Sequence, residues 1–75
     1  MDGRLLKAKI IINGLQVDQF LEKVNHDEKV LDRNKYYRVL RGEDEFDRKE
    51  IQSIATALNL SDEEMLNIFF KEEVS

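Results

Sequence analysis

The stretch Asp32-Arg33-Asn34-Lys35-Tyr36-Tyr37-Arg38-Val39-Leu40-Arg41-Gly42 decides how the chain reads. Asp32 is a helix-capping residue, whose carboxylate accepts a backbone N–H two or three residues on. Gly42 ends a helix readily, because glycine enters the left-handed conformation without a Cβ clash. Between them Tyr36, Val39 and Leu40 fall at i, i+3 and i+4, one apolar stripe. Arg33, Asn34, Arg38 and Arg41 fall on other faces. The stretch therefore predicts a short helix with an apolar rear and a front of guanidinium and amide groups. Such groups pair with guanine and adenine edges in a DNA major groove. A solvated surface helix has the same pattern, so the rest of the chain must decide.

Outward from this helix, the apolar spacing is helical throughout. Residues 2–13 carry Leu5–Ala8–Ile12 and Leu6–Ile10, two sets at helical intervals, and Asn13-Gly14 is a stop. In residues 16–24, Val17, Phe20, Leu21 and Val24 form one stripe, with Leu15 placed to staple the entrance. Residues 25–31 leave two possibilities. Either a long turn follows the second helix, or Asp27 starts a helix that runs on through Arg41. In both, Val30 and Leu31 should be buried. Gly42 to Asp47 is an acidic loop anchored by Phe46, and Asp47-x-x-Glu50 resembles a capping box. Ile51, Ile54, Ala55 and Leu58 then mark a fourth helix, closed at Asn59-Leu60. Ser61-x-x-Glu64 is a capping box for a fifth, which carries Met65, Leu66, Ile68, Phe69 and Phe70. Core packing is the expected fate of the two phenylalanines. Lys71 to Ser75 reads as a frayed tail.

At 75 residues the chain fits one domain with a small core. It has no cysteine, and so neither a disulfide nor a thiolate metal site. No run of about 18 apolar residues is present to span a membrane. A cytoplasmic all-α protein is the simplest expectation, with no membrane partner. The net charge of −4 opposes binding to a polyanion, but it is unevenly spread. From Lys29 to Arg41 five cations stand against Asp32 alone, a local +4 that leaves −8 on the remainder. A basic island of this kind steers toward phosphate, or toward an acidic patch on a protein. Catalysis has no support. The one histidine, His26, falls in a turn. No nucleophile–base pairing, phosphate-cradling glycine loop or HExxH helix occurs, and no cofactor or metal is implied.

The order of motifs resembles a known family. Asn13-Gly14-Leu15 is followed by Phe20-x-x-Lys23-Val24 and by the capped helix ending Leu40-x-Gly42. Then come Glu45-Phe46-x-Arg48-x-Glu50-Ile51-x-x-Ile54-Ala55-x-x-Leu58-Asn59-Leu60-Ser61-Asp62-Glu63-Glu64 and Ile68-Phe69-Phe70. The chain resembles the small XRE-type, Cro/phage-repressor-like helix-turn-helix regulators of Gram-positive bacteria and their phages. That resemblance implies a compact five-helix bundle of the lambda-repressor-like type over residues 1–70. Residues 16–24 would cross the DNA backbone and residues 32–41 would be the recognition helix. Arg33, Asn34 and Arg38 would face base edges, Lys35 and Arg41 would touch phosphates, and Tyr37 would serve either the core or a phosphate. Such proteins commonly bind double-stranded DNA as dimers on two half-sites.

Three positions and one spacing depart from the family's pattern. Val17 stands where a polar residue meets phosphate, Leu21 where a small residue is usual, and Asn25 where a glycine makes a tight turn. Seven residues separate Val24 from Asp32, an enlarged turn. The loop at Glu43-Asp44-Glu45 would repel phosphates. These features support an alternative, a phage- or mobile-element-encoded scaffold of this fold that binds and inhibits a protein partner.

Overall fold

Four helices begin at a residue whose side-chain oxygen caps the first turn. The computed structural model describes residues 1–70, which form helices α1 (Gly3–Ile12), α2 (Val17–Val24), α3 (Arg33–Leu40), α4 (Arg48–Leu58) and α5 (Asp62–Met65). A π-helical turn, Leu66–Phe70, continues α5, and no strand occurs among the described residues. The tail expected at residues 71–75 lies outside the described residues.

The starts follow the capping rules. The Asp2 carboxylate accepts from the N–H groups of Arg4 and Leu5, and Asp32 accepts from Lys35 N at 2.7 Å. Asp47 and Glu50 form a reciprocal box at 2.8 Å in each direction, and Ser61 and Glu64 form another at 3.0 and 3.1 Å. Three helices share one kind of ending. Gly14 (φ +72°), Gly42 (φ +81°) and Asn59 (φ 52°) are left-handed, and the next residue reaches back five positions: Leu15 N to Ile10 O, Glu43 N to Arg38 O, Leu60 N to Ala55 O. This is the Schellman arrangement, which satisfies carbonyls the helix leaves open.

The core forms where the stripes meet. Leu6 and Ile10 of α1, Phe20, Leu21 and Val24 of α2, Tyr36 of α3, Ile54 and Leu58 of α4, and Ile68 are buried together. Phe20 and Tyr36 pack ring to ring at 5.7 Å. The start of α1 lies against the end of α3, since a Cβ on Gly3 would meet Leu40 Cδ2 at 3.3 Å. Asp2 N donates to Ile68 O at 2.7 Å and Lys9 pairs with Glu64, so α1 is clasped to α5.

The structure resolves the two possibilities for residues 25–31 in favour of the turn. The Asn25 side chain organises it. Its Oδ1 accepts from Val30 N (2.7 Å) and Leu31 N (2.8 Å), and its Nδ2 donates to Leu21 O and Leu31 O, both at 2.8 Å. Leu31 is buried beneath it and Val30 half-buried. One amide thus does by hydrogen bonding what a glycine does by conformation in a tight turn. Phe70 departs from its expected place in the core and stands 59% exposed. The π-helical turn changes the angular register over Leu66–Phe70, so Ile68 turns inward while Phe69 is only half-buried. Tyr36 also differs from a core tyrosine whose hydroxyl reaches water: its oxygen is buried, without a hydrogen-bond partner among the described residues.

Candidate nucleic-acid interface

The two faces of α3 separate as its sequence requires. At 100° per residue, Tyr36, Val39 and Leu40 share one side. Tyr36 and Val39 are buried and Leu40 is half-buried. The opposite side presents Arg33, Asn34, Tyr37, Arg38 and Arg41 within an arc of about 140°. Of these, Arg38 is half-buried and the rest are exposed. Five of the six residues expected to contact DNA therefore share one front. Tyr37 joins that front while its ring edge rests on Tyr36 at 5.2 Å.

Lys35 does not belong with them. Its ammonium lies 2.8 Å from Glu50 Oε1, and Glu50 is only 5% exposed. The lysine sits on the flank between front and rear, and the box that caps α4 draws it inward. The hydrogen bond it donates to Glu50 raises its pKa above the ordinary 10.5. Lys35 thus makes a structural contact between α3 and α4 and stands apart from the other five expected contact residues.

Each arginine of the front lies beside a carboxylate. Arg33 pairs with Asp18 in the first turn of α2. Arg38 Nη2 is 3.4 Å from Asp44 Oδ2, and Arg41 Nε is 2.7 Å from Glu43 Oε2. The Arg41 hydrogen bond holds the Glu43 carboxyl below its usual range, and Glu43 in turn raises Arg41. Asp44 is lowered chiefly by the N–H of Glu45, then by Lys35 and Arg38. The acidic loop expected at residues 43–47 is thus part of the site's edge. Asp18 had no signal in the sequence, since only the packing of α2 beside α3 brings it to Arg33.

Elsewhere, His26 is exposed on the turn with Asp27 Oδ1 at 3.1 Å from its Nδ1. Among the described residues no group of three or more His, Cys, Asp or Glu is placed to hold a metal ion. No described helix is long and apolar enough to cross a membrane. No protein-family model, curated protein or solved structure matches the chain.

Proposed function

We propose that this chain is a sequence-specific DNA-binding regulator of the helix-turn-helix type it resembles. In this reading α3 enters the major groove and α2 lies across the backbone. One observation carries it: Arg33, Asn34, Tyr37, Arg38 and Arg41 share one front while the rear of α3 is packed into the core. The neighbouring carboxylates do not lock that front. Exposed ion pairs are worth about 0–1 kcal/mol, less than a bidentate guanidinium contact to guanine, at about 1–3 kcal/mol. Asp18, Glu43 and Asp44 therefore weaken the interaction without forbidding it, and make the arginines exchange one anion for another.

The test is fluorescence anisotropy of the full chain with duplexes tiling the DNA beside its own coding sequence, across a salt series. Three exchanging arginines give a slope of log K against log salt of about −3, and Arg38→Ala weakens binding about tenfold. Glu43→Gln with Asp44→Asn removes two internal competitors and tightens binding about tenfold. Salt-independent or absent binding to every duplex at low salt overturns the reading.

A second reading rests on the carboxylates themselves. With Asp18, Asp44 and Glu43 in place the front is close to neutral and of mixed sign, a surface suited to a folded protein partner. Under that reading the Glu43→Gln, Asp44→Asn chain gains no DNA affinity and loses its protein complex.

A further inference from the structure

A cleft of about 380 Å³ opens between the loop that joins α3 to α4 and the π-helical turn after α5. Ligand clefts run from about 300 to 1000 Å³, so this one has room for a small organic molecule. Three aromatic rings line it in a continuous row. Phe46 and Phe69 have ring centroids 6.3 Å apart, and Phe69 and Phe70 6.4 Å, inclined at 73° and 63°. The buried Val39 and the half-buried Ile51 extend this apolar wall. A second wall is acidic, formed by Asp44 and Glu45. Asp44 shares its charge with Arg38 at 3.4 Å, whereas Glu45 has no ionic partner among the described residues. No lysine or arginine among the described residues lines the cleft.

We infer that this cleft binds an organic cation with an apolar body, its positive charge set against Glu45 and its body against Phe46, Phe69 and Phe70. The two walls select that class. An anion would meet two carboxylates. A neutral apolar molecule would strip water from those carboxylates and return no hydrogen bond, which is costly. A metal ion needs several converging oxygens, and no described group of three or more His, Cys, Asp or Glu is placed to hold one. A cation that carries its own apolar surface gains from both walls, because aromatic faces and carboxylates attract the same charge. Quaternary ammonium and phosphonium ions and aromatic amidines are of this kind.

The test is isothermal titration calorimetry of the full chain with tetraphenylphosphonium, repeated with tetraphenylborate, an anion of nearly the same shape. The salt is held at about 0.1 M, where charges more than about 10 Å apart are largely screened. The expected result is one-to-one binding of the phosphonium, with the borate at least about tenfold weaker. Glu45→Gln and Phe70→Ala each weaken the phosphonium about tenfold. Both residues are exposed, so helix content by circular dichroism stays unchanged. Glu22→Gln removes the same charge from an exposed position of α2 outside the cleft, and leaves binding within about twofold. Absence of binding overturns the inference. So does a borate that binds equally well, or a Glu45→Gln or Phe70→Ala chain no weaker than Glu22→Gln. A cleft that ignores the phosphonium and takes a peptide rich in leucine and lysine belongs to a protein partner, which overturns it equally. No DNA enters the measurement, so its failure leaves the DNA-binding proposal standing.

Discussion

Lys35 Nζ lies 2.8 Å from Glu50 Oε1, and this pair fixes the distance between α3 and α4. The same Glu50 oxygen accepts the Asp47 N–H at 2.8 Å, so the start of α4 and the flank of α3 share one anchor. Glu50→Gln keeps the size and weakens both bonds. It should lower the free energy of unfolding in urea by about 1–2 kcal/mol. The pH dependence has a definite sign. Glu50 raises the lysine pKa above 10.5, so the pair's contribution is fully present below that value and fades as pH rises through the higher folded value. The stability difference between the wild type and Lys35→Met should therefore persist at neutral pH and close only in strong alkali.

Asn25 makes four hydrogen bonds through one half-buried amide. Asn25→Ala leaves the N–H groups of Val30 and Leu31 and the Leu31 carbonyl to find water, while Leu21 O keeps the backbone N–H of residue 25. A loss of about 2–3 kcal/mol follows, measured by thermal or urea unfolding. Hydrogen exchange at Val30 and Leu31 should accelerate more than exchange within α4, because the damage is confined to the turn.

Tyr36 gives the opposite sign. Its buried hydroxyl has lost water and gained no partner among the described residues. Burial also pushes its pKa above the ordinary 10.0. Tyr36→Phe keeps the ring against Phe20 and removes the unsatisfied oxygen, so stability should rise by about 1 kcal/mol.

The clasp between α1 and α5 is visible to acid titration. Lys9, with the Ser61 N–H second, lowers the Glu64 pKa from 4.5 to about 2. A carboxylate depressed on folding contributes stability that is present above its ordinary value and lost as pH falls toward the folded one. Carbon-detected NMR should find Glu64 titrating near 2, and Lys9→Met should return it toward 4.5.

Local chemistry was legible in the sequence where one residue decides an outcome. Asp32, Asp47 and Ser61 announced helix starts, and Gly14, Gly42 and Asn59 announced ends, because capping depends on residues only a few positions apart. The front of α3 was legible for the same reason. The two sides of α1 were not, since Leu5–Ala8–Ile12 and Leu6–Ile10 are equally apolar and only the packing of the other helices selects one. The inward turn of Lys35 and the approach of Asp18 to Arg33 also depend on residues far apart in the chain. Phe70 eluded the helical count because a π-helical turn alters the angle on which that count rests.

The Asn25 amide has one more consequence, for engineering. It staples the base of the bend, binding Leu21 on one side and Leu31 on the other, while His26 to Lys29 stand in solvent beyond it. A reporter tag or a protease site written into that tip would leave the two flanking rods in register, because their spacing is held by a single side chain and not by the loop that joins them.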